Sequence, residues 1–163
     1  MISDVVFMIL KYPLKVEEIM TKNVVTIDRA KTVIDAAKLM TDNDVGCLIV
    51  MDANSPVGVV TERDIVRRVV LKILDAGKTQ VDDVMSTPLI SVESGMTIFE
   101  AADKMKDNKI RRLAVIEKGG LLHRAEKGKL IGILTSFDLV KNCNFIMDQQ
   151  TQAILSAFRR GLA

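Results

Sequence analysis

The sequence predicts a mixed α/β (α+β) chain made of two tandem strand-helix-strand-strand-helix repeats, followed by one additional C-terminal helix. Three observations predict it. Sliding the chain against itself by 65 residues aligns 16–50 with 81–115, and ten of those 35 positions are identical, including Met20/Met85, Thr32/Thr97 and Asp42/Asp107. In both copies the hydrophobic period changes in the same order, from short apolar runs to a helical stripe and back. Both copies then close on one signature, VGVVTERD (57–64) and IGILTSFD (131–138). The 163 residues, 48% of them apolar, suffice to bury one sizeable core or two small, closely packed ones.

Each element follows in chain order. Val24 to Ile27 and Leu89 to Val92 are short apolar runs and read as strands. Thr32 with Asp35, and Thr97 with Glu100, have capping-box spacing: the hydroxyl accepts from free first-turn N–H groups while the carboxylate reaches back. The helices they open carry Val33, Ala36, Ala37 and Met40 on one face, and Ile98, Ala101, Ala102 and Met105 in the second copy. Leu48 to Met51 with Val57 to Val60, and Leu113 to Ile116 with Leu130 to Leu134, are strand pairs. Asn54, Ser55 and Pro56 turn the first hairpin. A loop nine residues longer, within Gly119 to Lys129, joins the second. Closing helices start after Thr61 and Thr135, with Ile65, Val66, Val69, Val70 and Ile73 in the first and Leu139 and Val140 in the second. Met147, Ile154, Leu155, Phe158 and Leu162 mark the amphipathic C-terminal helix. The organisation is thus a packing segment over 1–15, repeats over 16–76 and 81–143 joined by a linker over 77–80, and the helix over 144–163.

Composition narrows the function. Aromatic residues make up 4% and tryptophan is absent, so stacking platforms for single-stranded nucleic acid are not expected. A formal charge of +2 is too small to favour nucleic acid or an anionic membrane as main partner. Cys47 and Cys143 have no metal-ligand spacing and fit a reducing, cytoplasmic setting. The run VVFMIL (5–10) is too short to span a bilayer and lacks the flanks of an export signal. His123, in the long hairpin loop, has no Ser/Asp or Cys partner, so no catalytic constellation can be assembled and a non-enzymatic role is expected.

The duplicated series of Met, Thr-capped helix, apolar hairpin and then Gly58/Thr61/Asp64 or Gly132/Thr135/Asp138 resembles a tandem CBS (cystathionine beta-synthase) domain pair over about residues 16–141. The resemblance implies a regulatory module whose repeats pack through their sheets about a pseudo-twofold axis, commonly as a flat homodimer, with adenosine-containing ligands in two clefts. It implies a ribose clamp at Asp64 and Asp138, and phosphate contacts at Thr61 and Thr135. Physically this is apt, because helix starts favour phosphate and a carboxylate one turn in can accept both ribose hydroxyls. Taken alone, Thr-x-x-Asp is equally a capping box.

By the same resemblance the first cleft joins Met20, Asn23, Val25, Thr26, Val45, Gly46 and Cys47 to Thr135, Ser136, Phe137 and Asp138. It reads as apolar and lightly charged, with Met20 and Val45 equally suited to core, and Cys47 without a basic neighbour in sequence. The second joins Met85, Pro88, Ile90, Ser91, Ile110, Arg111 and Arg112 to Thr61, Glu62, Arg63 and Asp64. Its guanidinium groups suit a di- or triphosphate, whereas Glu62 would oppose one; the arginines fit a solvated surface equally. No cofactor is required. The expected ligand is AMP, ADP or ATP, with S-adenosylmethionine or NADH as alternatives; the expected partners are a second copy and a regulated protein, without nucleic acid or membrane. Two rival readings remain: a nucleic-acid-associated protein using Arg159, Arg160 and the basic loop, and a dimerisation module without ligand.

Overall fold

Two three-stranded sheets form, one from each copy, because each capped helix brings a parallel strand back beside a hairpin. The structure is a computed structural model that describes residues 14–117 and 128–142. The expected N-terminal packing segment up to residue 13, the loop around His123, Cys143 and the C-terminal helix lie outside the described residues.

The described residues open with a short helix α1 (Val16–Ile19), then β1 (Thr26–Asp28), α2 (Val33–Asp42), β2 (Cys47–Asp52) and β3 (Ser55–Thr61). Helix α3 (Glu62–Ile65) continues directly into a π-helical turn, Val66–Val70. The second copy repeats this plan as α4 (Val81–Val84), β4 (Ser91–Glu93), α5 (Ile98–Asp107), β5 (Arg112–Glu117), β6 (Lys129–Thr135) and α6 (Ser136–Lys141). The sheet orders are β1-β2-β3 and β4-β5-β6, with the first pair of each parallel and the hairpin antiparallel. Equivalent register irregularities occur at Val50/Met51 and Val115/Ile116.

The expected helix faces are those that bury. Val33, Ala36 and Met40 of α2, and Ile98, Ala101 and Met105 of α5, lie in the cores, while Ala37 and Ala102 are half-buried. Repeat and packing unit nevertheless do not coincide. Val16 of α1 is fully buried among Val92, Ala101, Leu113 and Leu134 of the second sheet. Val81 and Val84 of α4 are buried among Val33, Leu48 and Val60 of the first. Backbone hydrogen bonds fix this exchange: Thr21 pairs with Ile133 and Ser86 with Val59, in both directions at 2.8–3.1 Å. The segment read as a linker is tied down as well, Val33 N–H donating to the Thr79 carbonyl at 3.0 Å and Thr32 forming an antiparallel bridge with Gln80.

A third cluster, Ile49, Ala114 and Ile133, joins the two sheets face to face. The closing helix of the first copy departs from the expected apolar face. Val69 is buried, but Val66 and Val70 are exposed, because the π-helical turn shifts the stripe relative to a regular α-helix, and Ile73 is exposed because the helix has ended at Val70 and Ile73 lies beyond it at φ 55.

Candidate functional site

Each quoted signature ends in a cap with defined chemistry. The Thr61 N–H and hydroxyl both donate to Asp64 Oδ2, at 3.0 and 2.6 Å, and Asp64 N–H donates back to Thr61 Oγ1 at 3.1 Å. Thr135 and Asp138 repeat this at 2.8, 2.7 and 3.2 Å. The cap therefore consumes one carboxylate oxygen. Among the described residues Asp64 Oδ1 meets only the Ser86 hydroxyl and Arg68 Nη2, each at 3.5 Å, and Asp138 Oδ1 makes no hydrogen bond or ion pair. Arg68 is engaged elsewhere, donating to the carbonyls of Val84 and Met85 at 2.7 and 2.6 Å and anchoring the π-helical turn to the exchanged segment.

Two cavities open beside these caps. The Arg63 cleft has a volume of about 300 Å³ and is lined by Thr61, Arg63 and Asp64 on one side and Pro88, Ile90, Ile110, Arg111 and Arg112 on the other. Glu62 also faces it. The Phe137 cleft, about 510 Å³, is lined by Asn23, Val25, Val45, Gly46 and Cys47, opposite Thr135, Ser136, Phe137 and Asp138. Four of the residues assigned from sequence are absent from these walls: Met20, Thr26, Met85 and Ser91. The two methionines have another task. A Cβ on Gly132 would fall 2.5 Å from Met20 Sδ, and one on Gly58 would fall 2.7 Å from Met85 Sδ, so these side chains cross the strands at their glycines. Thr26 and Ser91 begin β1 and β4, where the wall is instead formed by the preceding residues Val24, Val25, Leu89 and Ile90.

Other wall residues escaped the sequence. Ile49 and Ile133 line both cavities, so the inter-sheet core is the partition between them. They sit inside unbroken apolar strand runs and nothing local distinguishes them. Arg111 and Arg112 also line both. The Phe137 cleft is therefore not lightly charged, since the fold carries the second copy's arginines to the boundary. Arg112 Nη1 donates to the Gly46 carbonyl at 3.2 Å. It stands beside Cys47, which thus has the basic neighbour that its sequence surroundings lack. Burial still dominates and pushes the Cys47 thiol up, against the opposing pull of Arg112 and assisted by Glu62. The thiol is held neutral, as a packing group is. Formal charge is uneven among the described residues: Arg63, Lys109, Arg111 and Arg112 face Glu62 and Asp64 in one cleft, whereas Arg111 and Arg112 alone face Asp44 and Asp138 in the other.

No group of three or more His, Cys, Asp or Glu side chains that could hold a metal ion occurs among the described residues. None of their helices is long and apolar enough to cross a membrane.

The family model of the CBS domain matches residues 16–71 and again 81–144. The chain belongs to the CBS domain family. This CBS pair is 32% identical over 127 residues to an uncharacterised protein of Methanopyrus kandleri, covering 77% of this chain but spanning only 61% of that relative's length. A CBS domain-containing protein of Bacillus subtilis is 33% identical over 127 residues, covering 78% of this chain and 84% of the other. Among solved structures, a CBS domain protein from Pyrobaculum aerophilum complexed with AMP superposes with a TM-score of 0.67 at 27% identity, covering 77% of this chain and 90% of that one.

Proposed function

We propose that this CBS pair is a regulatory, non-catalytic module that takes AMP, ADP or ATP in one or both clefts and passes occupancy to a partner protein as a change in the angle between its sheets. The observation that carries the reading is the pairing, in each cleft, of an Asp oxygen left over from the cap with guanidinium groups across the opening. Asp64 and Asp138 accept the ribose hydroxyls, Thr61 and Thr135 fix those carboxylates, and Arg63, Arg111 and Arg112 meet phosphate. The base lies on the apolar wall, against Ile90 and Ile110 in one cleft and Val25 and Val45 in the other. The relative complexed with AMP supports the ligand class. Four cations around the Arg63 cleft favour a di- or triphosphate there.

Transmission requires differential affinity for two arrangements of the sheets, because a ligand that binds both equally shifts nothing. A homodimer and a cytoplasmic setting complete the proposal, the former supported by the exposed Val66, Val70 and Val140 on the closing segments.

Calorimetry with AMP, ADP, ATP, S-adenosylmethionine and NADH tests it. Binding of at least one adenylate, weakened at least about tenfold by Asp64→Ala or Asp138→Ala, is the expected result. Absence of binding, or binding indifferent to both substitutions, sinks the proposal.

A further inference from the structure

The two copies differ where they face one another. At the start of β2 the first copy has Gly46 and Cys47, and at the equivalent place the second has Arg111 and Arg112. The difference leaves the Phe137 cleft without a cation of its own: its only basic wall residues among those described are Arg111 and Arg112, which also face the Arg63 cleft. The Arg63 cleft has Arg63 and Lys109 besides. Arg112 stands at the boundary, half-buried, with its guanidinium on the carbonyl of Gly46, a residue of both walls. A guanidinium has five N–H donors in a fixed fork, so a phosphate bound bidentately on one side takes donors from the other. Two phosphates drawn to one boundary also repel, and partial burial limits screening.

We propose that the two clefts are negatively coupled through Arg111 and Arg112. A phosphorylated ligand fills the Arg63 cleft first, because that cleft has its own cations, and lowers the affinity of the Phe137 cleft for a second. A nucleoside without phosphate leaves the clefts independent. The coupling rests on the nucleotide reading above and adds a rank order and a sign to it. Such linkage is reciprocal, so occupancy of the Phe137 cleft weakens the Arg63 cleft by the same factor.

The chain contains no tryptophan, so indole emission of the Phe137→Trp variant reports on one cleft alone; Phe137 is 70% exposed, which protects the fold. AMP and adenosine are titrated in that background, with calorimetry counting bound molecules. Adding Arg63→Gln is expected to move the indole midpoint for AMP to about fivefold lower concentration, although Arg63 lines only the other cleft. The Arg111→Gln, Arg112→Gln double variant is expected to abolish that response, and adenosine to show none. Second-step constants from calorimetry with Phe137 intact give the same cycle without the reporter. An AMP midpoint indifferent to Arg63→Gln, an equal shift with adenosine, or one AMP per chain at saturation overturns the coupling and leaves the nucleotide reading standing. No AMP bound at all overturns both.

Discussion

Gly58 and Gly132 occupy equivalent places in β3 and β6, yet their surroundings differ in how far they can yield. A Cβ on Gly58 would meet the Ser86 carbonyl oxygen at 2.9 Å as well as Met85 Sδ, whereas one on Gly132 would meet Met20 Sδ and reach the Thr21 carbonyl oxygen at 3.2 Å. A methionine can swing aside; a paired backbone carbonyl cannot. Gly58→Ala is therefore expected to cost about 1–3 kcal/mol, as overpacking does, and Gly132→Ala less. Chemical denaturation of both variants checks it, and equal losses would refute the distinction. The same contacts explain why the residue-level reading of the site was uneven. Both Met-to-Gly crossings repeat in the sequence as faithfully as the Thr and Asp pairs do, so repetition alone could not separate a packing residue from a wall residue. Asp64 and Asp138 were legible because spacing within one turn fixes their geometry. Ile49, Ile133 and the double exposure of Arg111 and Arg112 were not, because they arise from contact between sheets.

The two Thr-capped helices appear where the spacing places them. Thr32 Oγ1 accepts from Asp35 N–H at 3.3 Å and Thr97 Oγ1 from Glu100 N–H at 3.2 Å, completing the two capping boxes. Side-chain and backbone hydrogen bonds from these threonines hold Asp35 and Glu100 below their ordinary values of 3.8 and 4.5. A depressed carboxyl binds fewer protons folded than unfolded, so its contribution is complete above the unfolded value and is lost as pH falls through the folded one. Thermal melts from about pH 6 to about pH 3 should thus fall less steeply in the Asp35→Asn, Glu100→Gln double variant than in the parent. Parallel slopes would rule out these caps as contributors. At neutral pH, Thr32→Ala should cost about 1 kcal/mol through loss of the cap. Strand limits differ from the apolar runs by a residue or two, since pairing and not hydropathy ends a strand. Short α1 and α4 left almost no periodic signal: four residues complete barely one turn, and their buried Val16, Val81 and Val84 find partners only across the molecule.

Exchange of α1 and α4 makes the two repeats one folding unit, although the sequence reads as two. The first core needs Val81 and Val84 from the start of the second repeat, and the second core needs Val16 from the start of the first. Arg29 strengthens the crossing by joining Asp52 of the first hairpin at 2.7 Å to Asp82 of α4 at 2.8 Å. Ile49, Ala114 and Ile133 bind the sheets together through the partition between the clefts. Neither repeat can therefore lose its fold without uncovering the other's core. A single calorimetric transition with equal van't Hoff and calorimetric enthalpies is expected, and two resolvable transitions would refute it. Val16→Ala provides the sharper test. It removes two methyl groups from a site with no exposure, at a cost of about 2 kcal/mol from lost transfer and residual cavity. Were the repeats independent, hydrogen exchange would accelerate only in β4, β5 and β6. Because they share one transition, the slowest-exchanging amides of β2 and Val60 should accelerate by the same factor as those of β5, about thirtyfold for that loss of stability.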